Sequence, residues 1–155
     1  MRMIRRDNPL NYELKENLNK LIASLMVLYM KLHHFHWFIT GPHFFTLHEK
    51  FEELYDEVTE HIDVVAERLL QLKEQPISTL KECLEQSLLK EATSVQSEKD
   101  MVAELLQDLT ILNRHLYEGM KLAQENGDEV TNDILIGIST GFEKQIWMYR
   151  AFLGK

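Results

Sequence analysis

Apolar residues recur at three- and four-residue steps through most of the chain, the spacing that gives a helix one buried face. Leu14, Leu18, Leu21, Ile22, Leu25, Leu28 and Leu32 mark a first long helix, with Asp7, Asn8 and Pro9 as its start. Gly41-Pro42 breaks it. A second helix is expected from near Thr46 through Phe51, Leu54, Tyr55, Val58, Ile62, Val65, Leu69 and Leu72, closed by Pro76. Ser78 reads as the cap of a short helix, STLKECLEQS, with Leu80, Cys83 and Leu84 on one side. A third long helix is predicted from near Thr93 to Glu125, with Val102, Leu105, Leu106, Leu109, Leu112 and Leu116 turned inward and Asn126-Gly127 as its stop. The fourth runs from near Val130 to Leu153.

No alternating apolar run bounded by turns supports a strand, so the expected class is all-α. Short connections make the first and last helix pairs antiparallel hairpins. Roughly 17 residues separate the second and third long helices, which suits a crossover that leaves those two parallel in a four-helix bundle. No repeat, low-complexity tract or linker divides the chain. One domain spans 1–155, with residues 1–7 as a short flexible tail.

Composition narrows the function. Seventeen basic and 25 acidic residues leave a formal charge of −8, which repels a phosphate backbone and suits cations. The one basic cluster, MRMIRR, reads as a solvated tail rather than a DNA-binding arm. A lone Cys83 makes no internal disulfide and fits a reducing compartment. Ile4 is followed by Arg5, Arg6 and Asp7, so no apolar signal core is present. The longest apolar run, LIASLMVLYM, covers about half of the roughly 20 residues that a membrane span needs. The expectation is a cytoplasmic protein without a membrane partner.

Candidate chemistry gathers on the second helix, at His48, Glu52, Asp63 and Glu67. At about 100° per residue the last three lie roughly 40°, 60° and 100° round from His48, one stripe about a quarter-turn wide. They form two i,i+4 pairs, a spacing that lets two side chains hold one ion. Glu52 and Asp63 lie about 16 Å apart along the axis, too far to share an ion within one helix. Yet 48 and 67 have the same midpoint as 52 and 63, between residues 57 and 58. Two copies packed antiparallel about a two-fold axis there would set Glu52 against Asp63 and His48 against Glu67, twice over. His36, brought back by the Gly41-Pro42 turn, joins the set. Two imidazoles and three carboxylates without thiolate suit iron(II) or manganese better than structural zinc. Taken singly, each acid reads as a solvated helix face, and spacing alone leaves that reading open beside the metal site. His33 and His34 read as capping or surface groups. His43, His61 and His115 read as non-ligands, and Trp37 as core.

The run HFHWFITGPHFFTLHEKFEELYDEVTEHIDVVAERLL resembles the Dps family, the bacterial mini-ferritins. The match lies in His36-Trp37, Gly41, Phe45, Leu47-His48, Asp63 and Ala66-Glu67-Arg68, and GDEVTND and EKQIWMYRAFLG carry it to the C-terminus. The resemblance covers nearly the whole chain. It implies a ferritin-like four-helix bundle with a short extra helix in the long crossover, and a hollow dodecamer. It implies ferroxidase sites between subunits, with His36, His48 and Glu52 from one chain, Asp63 and Glu67 from another, and two irons per site. Where the family often has Asp this chain has Glu52, which bears on the second iron. Trp37 becomes an electron donor by resemblance, and Asp128, Glu129 and Asp133 line a three-fold pore, though GDE also reads as a plain polar turn. No Glu-x-x-His occurs, so the ligands of an in-bundle di-iron centre are missing.

The function so implied is iron(II) oxidation, with hydrogen peroxide as the favoured oxidant, and storage of iron(III) mineral. Twelve chains of −8 each would carry about −96, a strong attraction for cations. Two rival classes stand beside it. A nucleoid-protecting DNA binder is disfavoured by the acidic body and by a tail holding only Arg2, Arg5 and Arg6 as cations, so DNA binding is expected to be weak or absent. A metal-free helical adaptor leaves the symmetric i,i+4 pairs without a reason.

Overall fold

Proline suits a helix's first residue, where its missing N–H has no partner to lose, and Pro9 begins α1 (Pro9–Phe38). The computed structural model describes residues 9–94 and 96–155. The expected start at Asp7-Asn8 and the MRMIRR tail lie outside the described residues. Four further helices follow: α2 (Phe44–Gln71), the short α3 (Leu80–Gln86), α4 (Glu98–Glu125) and α5 (Glu129–Phe152). Among the described residues there are five helices and no strand.

The apolar stripes close on one another as their spacing predicts. Leu18, Leu21, Leu25, Leu28, Leu32 and Phe35 of α1 are fully buried, and meet Phe51, Leu54 and Leu69 of α2, Leu105, Leu109, Leu112 and Leu116 of α4, and Leu135 and Phe142 of α5. Burying each such side chain stabilises the fold by about 1.5–3 kcal/mol before chain entropy is counted. The helices pair in sequence order, α1 on α2 and α4 on α5, and the two hairpins join mainly through α1 and α4.

Two contacts fix the direction of the crossover. At the start of α2, His43 bonds to Glu98 at the start of α4. At the far end of α2, Arg68 donates to Thr131 and Asp128 beyond the end of α4. Hence α2 and α4 run parallel, as the long connection requires. The crossover is tied down along α1. Asn19 accepts from the Ile77 N–H and donates to the Gln75 carbonyl, and Ser24 accepts from the Leu88 N–H.

Three boundaries differ from expectation, each for a local reason. α2 begins at Phe44, because the Gly41 carbonyl already accepts the Phe44 N–H at 3.1 Å. Thr79, not Ser78, caps α3, accepting from the Glu82 N–H and donating its hydroxyl to the Glu82 carboxylate. α4 begins five residues later than Thr93, because Ser97 takes the cap position and accepts from the Asp100 N–H.

Candidate metal centre

The Gly41 turn folds the end of α1 back along the start of α2, and His36 and His48 meet across it. Their rings stack with centroids 3.7 Å apart and planes 12° off parallel. His36 Nδ1 lies 2.6 Å from the His48 carbonyl oxygen, and His48 Nδ1 lies 2.7 Å from the His36 carbonyl oxygen. A carbonyl can only accept, so each Nδ1 carries the proton and donates it. In its neutral form each imidazole is thereby held as the Nδ1-protonated tautomer, which leaves the Nε2 lone pair as its metal-binding atom. A ring N–H held by a backbone carbonyl is the usual support of a histidine that ligates metal. Phe44 stacks on the outer side of His48, with centroids 5.0 Å apart.

Glu52, one turn beyond His48, is exposed, and its Oε1 accepts from the Tyr55 hydroxyl at 3.3 Å. Tyr55 stands edge-on to His36, with centroids 5.4 Å apart, so the carboxylate and the two imidazoles share one neighbourhood. Loss of solvent, then the Glu52 charge, pushes the Tyr55 phenol up. His33 stacks on Tyr55 at 3.8 Å and donates through Nδ1 to the Tyr29 carbonyl. It is therefore neither a cap nor a bare surface group. Spacing alone had hidden it, because its partner Tyr55 lies on another helix.

Asp63 and Glu67 are exposed on the same helix, further along. The rise of α2 places Asp63 about 16 Å beyond Glu52, and Glu67 about 28 Å beyond His48. Among the described residues of one chain, no three His, Cys, Asp or Glu side chains converge well enough to hold a metal ion. One chain thus pairs His36 with His48, sets Glu52 nearby through Tyr55 without closing a three-ligand group, and presents Asp63 and Glu67 elsewhere.

Trp37 is 64% exposed, so it is not the core residue the sequence suggested. One step along a helix swings it about 100° from His36, out of the bundle. Its ring meets His33 at 5.3 Å and faces a groove between α1 and α3 with Met30, Phe38 and Leu84. The three acids near the α4–α5 turn separate into two roles. Asp128 is buried, caps α5 through the Thr131 N–H, and pairs with Arg68 at 2.9 Å. Glu129 and Asp133 are exposed and line an open depression with Asn132 and Ile136. His34 reaches the Ser94 carbonyl. His115 is buried, and its Nε2–H donates to the Asn17 carbonyl, while His61 packs on Phe142. Burial pushes both imidazoles down.

A model of the ferritin-like domain family matches residues 15–155. DNA protection during starvation protein 2 of Bacillus anthracis is 47% identical over 146 residues, covering 94% of this chain and 100% of that protein. General stress protein 20U of Bacillus subtilis is 47% identical, over 92% of this chain and 98% of that one. Among solved structures, Dps from Staphylococcus aureus superposes with a TM-score of 0.90 at 44% identity, over 92% of this chain and 95% of that chain. Antigen TpF1 from Treponema pallidum superposes over the whole of both chains with a TM-score of 0.95 at 36% identity. No helix among the described residues is long and apolar enough to cross a membrane.

Proposed function

The chain belongs to the Dps family of ferritin-like proteins, and from that premise we propose that it oxidises iron(II) at sites shared between two subunits and stores the iron(III) product inside a hollow dodecamer. The observation that carries this reading is the reciprocal bonding of His36 and His48, which occupies both Nδ1 atoms and leaves the two Nε2 atoms as the donors near the Glu52 carboxylate. The donor set is nitrogen and oxygen only, which suits iron(II) and tolerates the harder iron(III) that oxidation produces. The other half is Asp63 and Glu67 of a second chain, related by the two-fold axis that the spacing on α2 permits.

Two iron(II) ions held together give up one electron each. Hydrogen peroxide takes both, its O–O bond breaks, and two protons complete two waters. No one-electron product is released as hydroxyl radical. The exposed carboxylates and the net charge of −8 per chain draw cations in. Glu129 and Asp133 keep the pore assignment, whereas Asp128 serves as a cap and an ion-pair partner. Trp37, in contact with His33, keeps the assignment of electron donor.

The testing experiment is anaerobic iron(II) oxidation started by hydrogen peroxide, followed by iron(III) absorbance, for wild type and Asp63→Ala, with assembly checked by light scattering. Rapid oxidation in the wild type, lost in an intact mutant shell, supports the reading. Equal rates in the two proteins, or none above buffer, overturn it. The names of the relatives speak of DNA protection, and removing iron(II) and peroxide protects DNA without contact. We expect DNA binding to be weak or absent, because the chain is acidic. A tight mobility shift at about 0.15 M salt would overturn that expectation.

A further inference from the structure

α2 carries His48 and Glu52 near its start, yet that start lacks the usual support. No acidic residue stands in its first turn, and His43 at the cap position makes no side-chain cap bond. The orphan N–H groups and the positive end of the helix dipole call for an acceptor with negative charge. Glu98, the first residue of α4, supplies it from another helix. Its Oε1 accepts the His43 backbone N–H at 2.7 Å, and its Oε2 accepts from His43 Nδ1 at 2.9 Å. The Glu98 side chain is only 12% exposed. The backbone makes room for it. Gly41 sits at φ +123°, and a Cβ there would lie 2.6 Å from Glu98 Oε1. One carboxylate thus serves the N-termini of both α2 and α4.

The place of this contact matters. His36 and His48 bond to one another's backbone across the segment from 37 to 47, and Glu98 grips that segment at its midpoint. We infer that Glu98 is a positioning residue for the metal centre: by capping α2 from outside, through His43, it holds the turn in the one shape that lets His36 and His48 bond reciprocally through Nδ1 and keep both Nε2 atoms for a metal. The ring hydrogen bond from His43 holds the Glu98 carboxyl below its usual range, so the cap stays ionised at neutral pH. The inference rests on the ferroxidase reading for its consequence, but not for its geometry.

The test uses the assembled full-length protein and two readouts. Hydrogen exchange followed by mass spectrometry reports on segment 39–48, and titration with cobalt(II) alone reports on the imidazole donors. Glu98→Ala should speed exchange in that segment and weaken cobalt(II) binding about fivefold to tenfold, the effect of losing one helix cap from a preorganised site. Glu98→Gln keeps an oxygen for the His43 N–H and should recover part of both losses, which a nonspecific packing defect would not show. Unchanged exchange in Glu98→Ala, or faster exchange with unchanged cobalt(II) affinity, overturns the inference. A wild type that binds cobalt(II) through its imidazoles but oxidises no iron(II) overturns the ferroxidase reading alone, and the comparison of variants still decides the role of Glu98.

Discussion

Two double variants divide the proposed site along the boundary between subunits. One, His36→Ala with His48→Ala, removes the nitrogen half. The other, Asp63→Ala with Glu67→Ala, removes the acidic half. Within one chain the halves cannot meet, since Asp63 lies about 16 Å beyond Glu52 along a straight helix and metal–oxygen bonds span about 2 Å. Each double variant alone is therefore expected to be inactive. Chains of the two kinds, dissociated, mixed in equal amounts and reassembled, should regain activity. In a mixed pair one site receives two damaged halves and the other receives two intact ones. Random pairing makes about half of the pairs mixed, so about one quarter of the wild-type sites should return. The assay is peroxide-driven iron(III) formation per shell, with the mixing ratio varied. The recovered rate should follow the product of the two fractions and peak at equal mixing. A mixture no more active than its parents would place all the chemistry within one chain and refute the shared site.

Three further outcomes concern the fold. Gly119→Ala should destabilise the protein by about 1 kcal/mol, because its Cβ would lie 2.5 Å from Asn17 Oδ1 and 2.9 Å from Leu135 Cδ1, a strain only partly offset by alanine's helix preference; denaturant unfolding at fixed protein concentration measures it. Lys73→Gly should raise stability by about 0.5–1 kcal/mol in the same assay, since Lys73 holds φ +62° where α2 ends and the Glu74 N–H returns to the Leu69 carbonyl. Burial lowers the His115 pKa below its ordinary 6.5, so the unfolded chain binds the proton more readily; its contribution is complete above about pH 6.5 and is lost as pH falls toward the folded value. Thermal melts between about pH 7 and pH 5 should show a shallower acid loss in His115→Gln than in wild type, and parallel curves would refute the assignment.

The parts legible in the sequence were those governed by one helix at a time. Periodicity placed Leu18, Leu25, Leu32, Phe51 and Leu109 in the core, because burial of one helical face leaves a direct trace every three or four residues. The His36–His48 meeting was legible too, since one tight turn, Gly41-Pro42, lies between them. What sequence reasoning missed depends on contacts between distant segments. Tyr55 stands seven residues beyond His48, nearly the same helical direction, and that spacing could have marked it as a neighbour of the site. His33 stacking on Tyr55 and Glu98 capping α2 have no such trace, because α1 and α4 are brought beside α2 only by tertiary packing. Asp128 shows the same limit. GDE read as a polar turn or a pore lining, and its spacing gave no sign that Asp128 pairs with Arg68 while Glu129 and Asp133 stay exposed.

The division of the site has a physical consequence for the proposed chemistry. One chain offers two imidazoles and one nearby carboxylate, which do not converge into a three-ligand group and could hold at most one iron(II) weakly. A single iron(II) meeting peroxide gives up one electron, which is the route to hydroxyl radical. In the proposed shared site the partner's carboxylates would add negative charge and oxygen donors at the same point, which would favour a second cation and the higher charge of iron(III). On the proposed reading, assembly rather than folding of the chain would be the step that turns metal binding into two-electron oxidation. It also sets the demand on the α1–α2 turn. Nε2 atoms displaced by an ångström or so would still bind one metal, but would no longer meet the partner's acids at a distance of about two metal–ligand bonds. Rigid placement by the reciprocal backbone bonds and by Glu98 therefore matters more to oxidation than to binding. On this reasoning Glu98→Ala should lower the oxidation rate by a larger factor than it lowers cobalt(II) affinity, and parallel measurement of the two in the same shells distinguishes a loosened site from one that has merely lost affinity.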